Sequence, residues 1–84
     1  MKLIDRYTGT EINVENKPGY GNAIYACLID EFIANELTWA FVKDYGTKTP
    51  YACVRSIKRA IEKLGYSKQI LVLTTRGEIV LIRD

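Results

Sequence analysis

The chain ends in QILVLTTRGEIVLIRD, two runs of large aliphatic and β-branched residues joined at Arg76-Gly77. Such runs on either side of a short glycine-containing turn read as a β-hairpin. Gly77 meets the need of the turn, whereas nothing in the turn geometry asks for an arginine beside it. Residues 70–73 and 79–82 are apolar at every position, so both faces of the hairpin are apolar. One face must pack on the rest of the chain, and the other needs a cover. An N-terminal hairpin or a second subunit can supply that cover. The expectation is a small antiparallel sheet against helices, with a homodimer as one possible assembly.

Immediately upstream is a helix whose boundaries are written in the sequence. In TKTP, Thr49 is a capping residue, and Pro50 suits the first helical position, where its missing N–H leaves no bond unmade. The pattern predicts a helix over 50–64 that stops at Gly65. Cys53, Val54, Ile57, Ala60, Ile61 and Leu64 form its apolar stripe. Tyr51, Ala52, Arg55, Ser56, Lys58, Arg59, Glu62 and Lys63 lie opposite. Four cations against one anion make either a solvated face or a surface for an anionic partner. Charge along the chain favours the partner: residues 1–46 hold four cations and seven anions, and residues 47–84 hold eight and three.

The N-terminal half is less sharply punctuated. KLIDRYTGTEINV alternates in part around Thr8-Gly9, which predicts a hairpin or strand pair over 2–14. ENKPGYGN is a loop, broken by Pro18, Gly19 and Gly21, and its Gly-Tyr-Gly lacks the rest of a phosphate-binding fingerprint. From Asn22, a natural N-cap, the periodicity is helical: Ile24, Tyr25, Leu28, Ile29, Phe32 and Ile33 face one way, and Asp30, Glu31 and Asn35 the other. NELTWAFVKDYG then either continues this helix or, with Thr38 as cap, forms a second short helix over 39–45 that ends at Gly46. Asn35 and Thr38, both poor in helix interiors, favour the break.

Eighty-four residues suffice for a single domain, 1–84. A domain of this size buries roughly 60–65% of its unfolded surface. An apolar content of 48% with 26% charged residues is that of an ordinary globular chain. The longest uncharged stretch, 18–29, falls short of the roughly 20 apolar residues a membrane span needs. No basic segment at the N-terminus leads into a long apolar run, so the expected location is the cytoplasm. Cys27 and Cys53 sit among apolar residues and read as buried reduced thiols. With no histidine in the chain, the Ser-His and Cys-His nucleophile pairs and the usual zinc spacings are missing. The carboxylates form no paired motif. The expectation is a non-enzymatic protein with no metal and no cofactor.

Across residues 22–83 the order is helix, short helix, four-residue turn, basic helix and hairpin. In TWAFVKDYG, TKTP, YACVRSIKRAIEKLGY and QILVLTTRGEIVLIRD this series resembles a winged helix-turn-helix domain. The resemblance spans three-quarters of the chain and leaves 1–21, the N-terminal strands and loop, outside it. It implies an α+β, winged-helix-like fold with two or three helices and the C-terminal hairpin as the wing. It also implies sequence-specific binding of double-stranded DNA by a small transcriptional regulator. On that reading Arg55 and Arg59 meet bases or phosphates, with Tyr51 and Ser56 as supporting donors. Lys58 and Lys63 meet phosphates. Lys48 and Thr49 approach a phosphate together with the helix N-terminus, and Arg76 reaches from the wing tip to the backbone or minor groove. The alternative, from a different class, is a small phage or mobile-element protein that binds and inhibits another protein, an anti-defence role. The acidic face of Asp30, Glu31 and Glu36 then matters more than the basic helix.

Overall fold

A computed structural model describes residues 1–16 and 24–83. The breaks at 18–21 and the Asn22 cap lie outside these residues. The elements run β1 (Lys2–Asp5), β2 (Glu11–Asn13), α1 (Ile24–Ala34), β3 (Trp39–Lys43), α2 (Pro50–Lys63), β4 (Ile70–Thr75) and β5 (Glu78–Arg83). The five strands form one antiparallel sheet in the order β2-β1-β3-β5-β4. The chain is thus a small α+β fold, with the N-terminal hairpin and the C-terminal hairpin both present.

One expectation is overturned. Residues 39–45 are neither a short helix nor an extension of the first; 39–43 are the central strand of the sheet. The described part therefore holds two helices, and a strand separates them where a helix-turn-helix unit has a short turn. The physical reason is period-2 alternation. Ala40 and Val42 are buried on one face, while Trp39, Phe41 and Lys43 point to the other. Trp, Phe and Val fit a pleated surface well, and pairing with β1 on one side and β5 on the other satisfies the backbone twice over.

The first helix stops in a Schellman motif. Glu36 donates its N–H to the Ile33 carbonyl (2.9 Å), and Leu37 donates to that of Phe32 (3.1 Å). Glu36 takes a left-handed φ of 56°, and Leu37 is buried against the end of the helix. The second helix ends in the same way, with Gly65 (φ 82°) donating to Glu62 and Tyr66 to Ile61. Here glycine occupies the left-handed position, as the sequence indicates.

Both helices lie on one face of the sheet. Leu3, Ala40, Val42, Val72, Ile79 and Leu81 point into the core, where they meet Cys27, Leu28 and Phe32 of α1 and Cys53, Ile57 and Ile61 of α2. The second helix packs on β4 and β5, and α1 packs on β1 and α2. Both cysteines are free thiols in this core. No helix among the described residues is long and apolar enough to cross a membrane.

Among the described residues, nothing forms a second layer on the opposite face. The N-terminal hairpin does not cover it, because β1 pairs edge to edge with β3 and widens the sheet instead. Ile4, Trp39, Phe41, Leu71, Leu73, Val80 and Ile82 share this outer face by register. Val80 is fully buried there between its cross-strand neighbours Phe41 and Leu73. Trp39 and Phe41 pack edge to face at 4.8 Å, and the Arg6 guanidinium lies 4.6 Å from the Trp39 ring centre. On the same face, Lys2 pairs with Glu11 of β2 and with Asp44, and Lys43 of β3 pairs with Glu78 of β5.

The layering predicts unequal effects of the same truncation. Leu28→Ala, at a fully buried site, is expected to lower unfolding free energy by about 2–5 kcal/mol. Leu71→Ala, on the open face and 57% exposed, is expected to change it far less. Urea denaturation of the two variants against the parent chain checks the ordering.

Candidate nucleic-acid interface

The basic helix begins as its sequence dictates. Thr49, in an extended conformation, accepts a hydrogen bond from the Ala52 N–H through its side chain (3.2 Å), and Pro50 follows at the first helical position. The Thr49 carbonyl accepts the first helical bond, from the Cys53 N–H (3.0 Å). The hydroxyl of Thr49 is thus engaged as a cap.

Around this helix the predicted residues fall on one exposed face and two flanks. Tyr51, Arg55, Arg59 and Lys63 are exposed to solvent, Tyr51 to 71%. The Arg55 guanidinium lies 5.9 Å from the Tyr51 ring centre, a loose stacking that turns both toward the same side. On the flank toward the hairpin, Lys58 lines a cavity of about 650 Å³ together with Thr49 and Tyr51 of the helix start and Thr74 and Gly77 of the hairpin. This places the Arg76 tip beside the first turns of α2.

The other flank faces α1. Ser56 is half-buried there and donates to the Ala52 carbonyl (3.3 Å), while Lys48 Nζ lies 3.4 Å from its Oγ. Lys48 also lies 4.9 Å from the ring centre of Tyr25. Ser56 is therefore more enclosed than the sequence suggests, whereas Lys48 stays exposed and leans over the ring of Tyr25, a partner from α1 that the sequence did not indicate. Arg59 and Lys63 border a second cavity on this side, about 410 Å³, with Tyr25 and Glu62. Burial pushes the Cys53 thiol up, while a hydrogen bond with Tyr25 and the Lys48 charge act in the opposite direction. Cys53 remains a protonated core thiol at neutral pH.

The electrostatics of the two sides of the molecule differ. Among the described residues, Arg55, Lys58, Arg59, Lys63, Lys68 and Arg76 make no ion pair. On the sheet face, by contrast, Lys2 and Lys43 are neutralised, and the hydrogen bond to Glu11 followed by the Glu11 and Asp44 charges raises the Lys2 pKa. Lys68, exposed just before β4, belongs with the uncompensated group although no local motif singles it out.

Arg76 occupies a left-handed conformation, φ 52°, followed by Gly77 at 78°. Positive φ at both central residues is the pattern of a type I′ turn, where asparagine or glycine is favoured at the first position. An arginine there holds an exposed cation at a conformational cost.

Comparison with known protein families, with curated proteins and with solved structures finds no match to the chain.

The turn geometry yields a direct test. Arg76→Asn is expected to raise stability by about 1 kcal/mol, because asparagine visits the left-handed region at lower cost. Thermal unfolding checks it, and an unchanged or lowered midpoint contradicts the strained turn.

Proposed function

We propose that the chain binds double-stranded DNA through the exposed face of α2, flanked by the Arg76 hairpin tip, and acts as a small transcriptional regulator. The observation that carries this reading is the set of six cations on and around α2 that make no ion pair among the described residues. A helix of fourteen residues is about 21 Å long and fits a B-DNA major groove about 12 Å wide. Its apolar stripe fixes it on the sheet, so the outward side chains are presented from a rigid support. Arg55 and Arg59, one turn apart, are the candidates for base edges; Lys58, Lys63 and Arg76 are the candidates for phosphates. The reading rests on this helix and hairpin, and not on a helix-turn-helix unit, since β3 stands between the two helices.

Binding to a duplex is expected to weaken steeply with salt. Three phosphate contacts correspond to a loss of about fortyfold between 50 and 200 mM salt. Arg55→Glu and Arg59→Glu should abolish binding while leaving the circular dichroism spectrum unchanged, because both side chains are exposed. Lys2→Ala, on the sheet face, should leave affinity as it is. Absence of duplex binding at low salt, or equal loss in all three variants, overturns the proposal.

A protein partner is the second reading, favoured by the outer face of the sheet, which no described element covers. A second copy of the chain is the simplest such partner. Light scattering should then give twice the 9.6 kDa monomer mass, and Leu71→Lys should return it to the monomer value. A monomeric parent at high concentration removes the homodimer.

A further inference from the structure

The two edges of the sheet are unlike. The β2 edge is three residues long and carries Glu11 and Asn13, features that discourage further pairing. The β4 edge is six residues long, ILVLTT, with no charge and no proline. Thr75 and Glu78 close the two-residue turn and form a hydrogen-bonded pair, so the alternation of an antiparallel ladder directs Leu73 and Leu71 to β5. Val72 and Thr74 then point their N–H and C=O groups away from the sheet. Ile70 also faces outward, but its N–H is taken by the Tyr66 carbonyl (2.9 Å).

Alongside this edge runs a groove whose other wall is α2. Tyr51, Val54 and Lys58 border it from the helix, and Val72 and Thr74 border it from the strand. It continues past Lys58 to Ile61 and Glu62 beside Ile70 and Leu71. Lys58 lies in the groove, and Lys68 and Arg76 stand at the two ends of β4, all three without an ion pair among the described residues. Glu62, at the end near Ser67, is the one carboxylate lining it.

We propose that this edge and groove receive an extended acidic segment of a partner protein, which adds to the sheet as a sixth strand beside β4. Main-chain bonds to Val72 and Thr74 supply the register. Side chains of the added strand alternate between the two faces of the sheet. Those on the helix side meet Lys58 and Tyr51 and are acidic. Those on the outer side extend the apolar face beside Leu71 and Leu73 and are aliphatic. The occupant is thus a strand that alternates carboxylate and aliphatic residues. The site shares Tyr51, Lys58 and Arg76 with the DNA-binding reading but adds the β4 backbone and does not use Arg55 or Arg59.

The test titrates capped eight-residue peptides into ¹⁵N-labelled protein, one alternating glutamate with valine and one alternating lysine with valine. Val72 and Thr74 amides should shift and gain protection from hydrogen exchange with the glutamate peptide alone. Thr74→Pro, which removes one edge N–H, should abolish the effect, and Lys58→Glu, on the exposed helix surface, should weaken binding about tenfold. Arg55→Glu should bind the peptide as the parent does, which separates this result from the DNA experiment. No binding of the glutamate peptide at millimolar concentration, equal binding of both peptides, or shifts confined to the β2 edge overturns the proposal. Protection of Val72 and Thr74 that grows with protein concentration alone also overturns it, in favour of a second copy at this edge.

Discussion

Pairing of β3 on both of its sides is the constraint from which the rest of the structure follows. With β1 on one side and β5 on the other, this strand joins the two hairpins into a single sheet and fixes which residues of each point to the core. Its register with β5 aligns Ala40 and Val42 with Leu81 and Ile79, the inward row on which both helices rest. Because α1 occupies the side of the sheet near β1 and α2 the side near β4, each helix keeps a solvent face of its own. The exposed cationic surface is a by-product of that division.

How much of this could be read in advance depends on where the deciding interactions lie. The second helix was legible because its cap, its first-turn proline and its terminal glycine are all local, and its stripe has a single period. The C-terminal hairpin was legible for the same reason. The central strand was not: WAFVK is five residues long, short enough to satisfy a helical or an extended pattern, and only partners distant in sequence choose between them. The stop of α1 was hidden as well. Glu36 fills a left-handed position that glycine usually marks, and Asp44, with a φ of 56°, does likewise just after β3. Both ends of the connection that carries β3 therefore lacked their ordinary punctuation.

The candidate interface was legible as a list of residues and not as an arrangement. Helical spacing places Arg55 and Arg59 together, and the structure keeps them exposed. It draws Lys48 toward α1, over the Tyr25 ring, a contact that no local pattern contains, while Ser56 lines the same cavity as Arg59. The proximity of α2 to the hairpin tip joins residues more than twenty positions apart and is a property of the packing alone. The charge balance of the two halves pointed toward an anionic partner, but it could not say that the sheet-face lysines are compensated while those around α2 are not. Compensation is what distinguishes a surface that has satisfied its own field from one that projects it into solvent.

The stacking of Arg6 on Trp39 has a consequence of an optical kind. The chain contains one tryptophan, placed on the central strand and on the face that neither described helix covers. Its indole is partly exposed and in contact with a cation, so its emission is sensitive to whatever displaces Arg6 or excludes water from that face. The basic helix is on the far side of the sheet, separated from the indole by the full thickness of the core. The molecule thus carries an intrinsic chromophore that distinguishes its two sides, without any label: occupation of the sheet face alters its environment directly, and occupation of the helix face does not.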